Sequence, residues 1–172
     1  MMTIETKNLQ LIPCDTEILT AAILGDEILA KKINVTVQDN WTEFGVAALQ
    51  YSLDRLTDSE DEKNWWTYFP IHKLDNKLIG SGGYKGKPTN DGTVELGYEI
   101  APGYRNRGLA TEMTNGFIEN AFKDTRVKSI IAHTLGQDNP STRVLQKCGF
   151  KKVEEMNDPD DGLIWKWELK RQ

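Results

Sequence analysis

The sequence predicts an α/β protein with one mixed β-sheet, built as a single domain over residues 1–172. Three observations predict this fold class. The length suits one domain that encloses a substantial core. Apolar and polar residues alternate with period two through the middle of the chain, which indicates strands. Stretches with helical spacing lie on both sides of those strands, as expected for a sheet covered by helices.

The N-terminal part combines one strand with three helices. Leu9–Pro13 alternates as a strand, and Asp15 and Gly25 supply the cap and the stop of a first helix. A second short helix follows over residues 27–32, and Thr42 is predicted to cap a third. The apolar stripe predicted for that third helix comprises Phe44, Ala47, Ala48, Tyr51 and Leu56.

The rest of the chain alternates strands with helices. Residues 65–72 and 77–85 are predicted to pair as a hairpin across a turn at Asp75 and Asn76. The later predicted elements are a strand at Val94–Ala101, a helix from Gly108 to about Lys123, a strand at Lys128–Thr134, a helix from Asn139 or Ser141 to Gly149, and strands at Phe150–Met156 and Leu163–Leu169.

Composition and charge argue against several classes of protein. The formal net charge of −5 and the pI near 5.1 argue against nucleic acid as a partner. No apolar run reaches about 18 residues, and the N-terminus lacks the pattern of a signal peptide. We therefore expect no membrane association and a cytoplasmic protein. Cys14 and Cys148 are expected to be reduced, and no closely spaced Cys or His set predicts a metal site.

Residues 104–111, Tyr-Arg-Asn-Arg-Gly-Leu-Ala-Thr, lie where a predicted strand ends and a helix begins. The first N–H groups of a helix lack partners inside the helix, and the helix dipole adds partial positive charge, so this position favours anions. Gly108 lets a ligand approach the backbone, and Arg105 and Arg107 add charges suited to phosphate. The stretch predicts a pyrophosphate site; the alternative is a basic helix N-terminus with an incidental glycine.

Two motifs carry a resemblance to a known family. Arg105-x-x-Gly108-x-Ala110, after a strand ending in Ile100-Ala101-Pro102, resembles the coenzyme A-binding motif of the GNAT superfamily of N-acetyltransferases. The strand at residues 94–100 and the later stretch at residues 139–150 are similar to the branch that acetylates the N-termini of ribosomal proteins. The similarity covers roughly residues 64–156, and the order of elements fits the family along the whole chain.

The resemblance implies acetyl-CoA as the acyl donor and no metal. It also implies central strands that splay after residues 94–100, with the pantetheine arm in the gap. The donor-binding residues that it predicts are Ile100, Arg105, Asn106, Arg107, Gly108, Leu109, Ala110, Thr111 and Asn139. The implied activity is transfer of an acetyl group to a primary amine by direct attack in a ternary complex. The acceptor stays open between a peptide or protein N-terminus and a small amine, and a homodimer is compatible with the family.

The predicted catalytic residues are Glu95, His133 and Ser141. Glu95, on the strand beside the gap, is the first candidate for the base, and Glu99 shares its parity on that strand. His133 has a suitable ordinary pKa, although a structural histidine at a strand end is the alternative. Ser141 is predicted to hydrogen-bond the departing thiolate or else to cap its helix.

One departure from the family pattern keeps a second function open. Leu145 stands where many relatives place a tyrosine acid, so a non-catalytic domain that only senses acyl-CoA is the alternative function. The acceptor site carries no readable motif. Five tryptophans are predicted either to line an acceptor pocket or to pack in the core, namely Trp41, Trp65, Trp66, Trp165 and Trp167.

Overall fold

The computed structural model describes residues 2–172, and in this part of the chain a ten-stranded sheet carries helices on both faces. The strands are β1 (Ile4–Glu5), β2 (Leu9–Pro13), β3 (Thr36–Val37), β4 (Thr67–His72), β5 (Lys77–Leu78), β6 (Gly80–Tyr84), β7 (Thr93–Ile100), β8 (Ser129–Leu135), β9 (Lys151–Asp158) and β10 (Gly162–Lys170). The helices are α1 (Thr16–Leu24), α2 (Asp26–Ile33), α3 (Gly45–Asp58), α4 (Leu109–Lys123) and α5 (Pro140–Lys147). The predicted α/β class is confirmed.

The sheet order is β1-β2-β4-β6-β7-β8-β10-β9, and the two halves of the sheet meet at β7 and β8. These two strands run parallel and pair only from Thr93 opposite Ser129 to Glu95 opposite Ile131. On its other side β7 stays paired with β6 as far as Ile100 opposite Gly80. The splay of the central strands is therefore present, and it begins after Glu95.

Most element boundaries agree with the sequence prediction because their end signals are local. Asp15 caps α1 by accepting a hydrogen bond from the Ile18 N–H, and Gly25 ends that helix at φ 140°. Two very short strands, β1 and β3, were not predicted, since two residues are too few to show a period. The predicted return strand at residues 77–85 is split at Ile79 into β5, which pairs with β4, and β6, which pairs with β7.

The prediction for α3 is wrong in its start and in its buried face. The helix begins at Gly45 with Phe44 at the N-cap position, although the Thr42 hydroxyl still accepts a hydrogen bond from the Gly45 N–H. The residues that α3 buries are Leu49 and Ser52. The predicted stripe is instead exposed at Phe44, Ala47, Ala48 and Tyr51, and of that stripe Leu56 packs against the core. The apolar stripe exists, but part of it faces an open cavity.

The core has two parts, one on each face of the sheet. On one face α4 packs with the inward side chains of β2, β6 and β7, and Met113 and Phe117 are fully buried there. On the other face α1, α2 and α3 pack over Phe69 and Ile71 of β4. No helix within residues 2–172 has the length and apolarity needed to cross a bilayer.

Candidate functional site

The N-terminus of α4 opens onto free space. Gly108 precedes the helix in the left-handed region at φ 75°, and Asn106 adopts a similar conformation at φ 61°. A Cβ built on Gly108 would have no atom within 4 Å. Leu109 is buried in the core, and the first backbone N–H groups of α4 have no partner within the helix. The geometry has the form of an anion site made by backbone groups.

The two predicted phosphate-binding arginines already make contacts within the protein. The Arg105 Nε donates to the carbonyl oxygen of Ile100 at 2.9 Å, and its guanidinium pairs with Glu43 at 2.8 Å. The Arg107 guanidinium lies over the Tyr104 ring at 4.7 Å. Both side chains are exposed. They place positive charge near the start of α4, while the close approach to a ligand is left to the backbone.

Beyond Glu95 the backbone of β7 faces the gap between the splayed strands. The Ala101 N–H bonds to the Ile79 carbonyl and the Lys85 N–H bonds to the Glu95 carbonyl, which fixes the odd-numbered residues of β7 as partners of β6. The backbone groups of Tyr98 and Ile100 therefore point toward the gap. Of these, the carbonyl of Ile100 accepts the hydrogen bond from Arg105.

Helix α5 forms the opposite wall of the gap. The Asn139 side-chain oxygen caps α5 by accepting from the Thr142 N–H at 2.9 Å, so this oxygen serves the helix. Ser141 lies in the first turn, and its carbonyl accepts a hydrogen bond from the Tyr98 hydroxyl at 3.2 Å. Tyr98 is partly buried, packs against the core and bridges β7 and α5. Leu145 is fully buried and offers no acidic proton.

Two of the predicted catalytic residues lie together. The Glu95 Oε1 is 2.9 Å from the His133 Nδ1 and accepts a hydrogen bond from the Lys85 ammonium at 2.7 Å. Burial is the largest influence on the pKa of Glu95 and raises it, but the combined effects of Lys85 and His133 outweigh burial. The pKa of Glu95 is therefore below its ordinary value, and the carboxylate is held as an anion between two nitrogen donors.

Glu99 has a different environment on the same face of β7. Its carboxylate accepts from the Thr42 hydroxyl at 2.6 Å and from the Glu43 N–H at 2.7 Å. Burial raises the pKa of Glu99, and these hydrogen bonds offset it only in part, so the pKa stays above its ordinary value. Glu99 thus binds a proton more readily than Glu95 does.

A cavity of about 380 Å³ lies between α3 and strands β4, β6 and β7, and we call it the α3 cavity. Its lining comprises Thr42, Phe44, Gly45, Ala48, Leu49, Tyr51, Ser52, Trp66, Thr67, Ser81, Gly82, Gly83, Tyr84, Lys85, Gly97 and Glu99. Glu99 belongs to this lining, whereas Glu95 does not. Trp66, one of the five tryptophans predicted either to line an acceptor pocket or to pack in the core, belongs to this lining. The sequence carries no motif for the rest of the lining because its walls come from four separate segments.

The described residues contain no group of three or more His, Cys, Asp or Glu side chains placed to hold a metal ion. Cys14 and Cys148 are both free thiols.

Comparisons with known proteins place this geometry in context. A family model described as an acetyltransferase (GNAT) domain matches residues 13–151. The chain is 24% identical over 151 residues to the uncharacterized N-acetyltransferase YjdG of Bacillus subtilis (strain 168). The aligned stretch covers 87% of this chain and 90% of YjdG.

Two solved structures illustrate the similarity of fold. The ribosomal-protein-S5-alanine acetyltransferase from Vibrio fischeri matches with a TM-score of 0.72 and 16% identity, over 99% of this chain and 97% of that one. AAC(6')-Ib, in complex with ribostamycin and coenzyme A, matches with a TM-score of 0.67 and 16% identity, over 96% of this chain and 94% of that one. At these identities the two structures establish the shared fold.

Proposed function

Because the chain belongs to the GNAT family of acetyltransferases, we propose that it transfers the acetyl group of acetyl-CoA to a primary amine held in the α3 cavity. The observation that carries this proposal is the parting of β7 and β8 after Glu95. The open N-terminus of α4 lies beyond the end of β7, and the cavity touches that strand at Gly97 and Glu99. A donor in the gap and an acceptor in the cavity therefore meet at one strand.

The donor site is proposed around the start of α4. The free space at Gly108 fits a diphosphate group, and the first N–H groups of α4 can donate to it. The residues proposed to hold the donor are those predicted from the motif, Ile100, Arg105, Asn106, Arg107, Gly108, Leu109, Ala110, Thr111 and Asn139. The gap-facing backbone of Tyr98 and Ile100 is proposed to bind the pantetheine arm and the thioester.

The reaction is proposed as direct attack. The neutral amine nitrogen forms a bond to the thioester carbonyl carbon, and the carbonyl oxygen becomes an oxyanion that a gap-facing N–H of β7 can stabilise. The carbon–sulfur bond then breaks, and the electron pair leaves with the thiolate, which takes up a proton. The proton lost by the amine goes to a carboxylate or to water.

Glu99 is the carboxylate that we propose as base. It lines the α3 cavity, and burial holds its pKa above the ordinary value, which makes it the stronger base of the two carboxylates. The predicted base Glu95 stays the second candidate; its bonds to Lys85 and His133 favour the anion and weaken it as a base. The roles predicted for His133 and for Ser141, the latter as a donor to the thiolate, stay proposals.

The test of this function separates binding from turnover. Calorimetry should detect acetyl-CoA binding, and a panel of primary amines should produce free thiol at a rate that depends on the amine. Mass spectrometry of the product should show one added acetyl group on the amine. Acetyl-CoA binding with no amine-dependent thiol release would contradict the proposal and leave only a sensor of acyl-CoA.

A further inference from the structure

We infer that the α3 cavity is built for a primary amine that carries one positive charge and an apolar, flat body. This inference rests on the proposed acetyl transfer and names the class of acceptor. The two solved neighbours show why the fold alone does not settle this point, because one is named for a ribosomal-protein alanine and the other holds ribostamycin.

The charges in the lining admit one ammonium group. Glu99 is the only acidic residue that lines the α3 cavity in the described part of the chain, and Lys85 is the only basic one. Lys85 is itself paired with Glu95 at 2.7 Å. A polyamine or an amino sugar carries several ammonium groups, and each one that leaves water needs a partner. With one carboxylate available, such ligands would bury unpaired charges beside Lys85.

A second carboxylate near the cavity, that of Glu62, already accepts hydrogen bonds from groups of the protein. Glu62 is buried, and its Oε2 accepts from the Trp66 Nε1 at 2.9 Å and from the Lys87 N–H at 3.0 Å. The Arg55 guanidinium lies 3.9 Å from its other oxygen. Glu62 therefore satisfies protein groups and does not provide a second site for an ammonium group.

The apolar part of the lining is aromatic and partly exposed. Phe44 and Tyr51 both lie on the cavity side of α3, and each is 59% exposed. Tyr51 contacts Trp66 edge to face at a centroid distance of 5.5 Å. Removing large aromatic side chains from water stabilises a complex, and the faces of their rings favour flat partners. A flat apolar group between Phe44 and Tyr51 would cover both rings.

The amine can reach β7 because the strand is open at one residue. Gly97 lies between Glu95 and Glu99 on the cavity face, and a Cβ there would have only the Lys85 side chain as a neighbour, at 3.6 Å. The missing side chain leaves a passage from the cavity to the backbone of β7. An apolar body against α3 and an amine beside Glu99 are thus compatible with one ligand.

The experiment compares three amines that differ in one property at a time. Tryptamine has one charge and a flat apolar body, butylamine has one charge without that body, and spermidine has several charges. We measure kcat/KM by thiol release, and in parallel the dissociation constant of each amine from the complex with CoA by calorimetry. The kcat/KM and the affinity of tryptamine are both expected to exceed those of butylamine and spermidine at least about tenfold. This is the gain expected from burying a few tens of Å² of aromatic surface. Equal or tighter binding of spermidine would overturn the inference.

Two variants and a control test the same point from the protein side. Tyr51→Ala is expected to lower the affinity for tryptamine about tenfold and the affinity for butylamine less than about twofold, since only tryptamine covers that ring. Val46→Ala is the matched control, because Val46 is 54% exposed on the same helix and lies outside the cavity lining. Ala48→Glu adds a second carboxylate to the exposed cavity wall. It should therefore raise the affinity for spermidine relative to the affinity for tryptamine.

The two assays keep two failures apart. If no amine releases thiol, the proposed acetyl transfer fails, while the calorimetric order of the three amines still tests the inference. If thiol is released fastest with spermidine and Tyr51→Ala changes nothing, the inference fails and acetyl transfer stands.

Discussion

The proposed donor end and the proposed acceptor end of this site are built in different ways. The proposed donor end centres on one continuous stretch at residues 104–111, with the helix N–H groups and the free space at Gly108. The α3 cavity is assembled from side chains of α3, β4, β6 and β7. A site that depends on backbone geometry leaves a compact sequence motif, whereas a site made of scattered side chains leaves none.

The same contrast appears between two glutamates on one strand face. Glu95 and Glu99 share parity on β7, so the period of the strand alone does not distinguish them. Lys85 and His133 hold the pKa of Glu95 below its ordinary value, while burial holds the pKa of Glu99 above it. The three-dimensional neighbours of each carboxylate therefore distinguish two residues that look alike in the sequence.

The largest expected effect tests that contrast. Glu99→Gln should lower kcat by roughly 10²–10⁴, the usual contribution of a positioned base, and leave acetyl-CoA affinity unchanged. Glutamine keeps one oxygen that can accept from the Glu43 N–H, and its amide nitrogen can donate to the Thr42 hydroxyl, so the start of α3 should be retained. Glu95→Gln is the matched variant, with an expected smaller loss, and steady-state thiol release measures both.

The pH dependence of activity is a second test of Glu99 as the base. Because a base must be ionised, activity should fall as the pH drops through the raised pKa of Glu99, and this acidic limb should vanish in Glu99→Gln. The loss in that variant should shrink at high pH, where more of the amine arrives neutral. A larger loss in Glu95→Gln than in Glu99→Gln would reverse the assignment and restore the base predicted from the sequence.

The next effect concerns the donor end. Gly108→Trp should fill the opening at the start of α4 and weaken acetyl-CoA binding by roughly 100-fold or more in calorimetry. Gly108→Ala is the control, since it bears the same strain at φ 75° but puts only a methyl group into free space. Its affinity should stay within about threefold of wild type. Equal affinity in both folded variants would remove Gly108 from the donor site.

The smallest effect is on stability, and it again separates the two regions. Glu112, in the first turn of α4, accepts hydrogen bonds from the Thr6 hydroxyl and the Asn8 N–H, so it fastens the N-terminal segment to the donor helix. Burial raises the pKa of Glu112, but these bonds outweigh it and the pKa is lowered. Glu112→Gln should therefore reduce the free energy of unfolding by roughly 1–3 kcal/mol at pH 7.

The two carboxylates should respond to pH with opposite signs. Since the pKa of Glu112 is lowered by folding, its stabilisation is present above the ordinary value of 4.5 and is lost as the pH falls through the folded pKa. Since the pKa of Glu99 is raised, its ionisation destabilises the fold as the pH rises through that pKa. In urea unfolding at neutral pH, Glu112→Gln should lower the free energy of unfolding and Glu99→Gln should not. Equal losses of this free energy in the two variants would contradict the difference.

Sequence reasoning succeeded where structure is set locally. The caps at Asp15 and Gly25, the start of α4 after Gly108 and the alternation in β7 depend on neighbours along the chain, and they are present as predicted. The splay of β7 and β8 came from the family resemblance and is also present. These features fix the framework of the donor end.

What failed depends on contacts between distant segments. The face that α3 buries is decided by its packing on α1, so the apolar stripe at Phe44 and Tyr51 was assigned to the core although it lines a cavity. The contact between Glu95 and His133 joins residues 38 positions apart. No periodicity within one element reports such pairings.

The shallow burial of α3 has a consequence for motion. Helix α4 buries six residues against the sheet, whereas the 14-residue helix α3 buries only Leu49 and Ser52. Local opening should therefore cost less free energy at α3, and its amide hydrogens should exchange with solvent faster than those of α4. The wall that contacts the acceptor would then open and reclose while the helix at the donor site stays closed, so one substrate could be exchanged while the other stays bound.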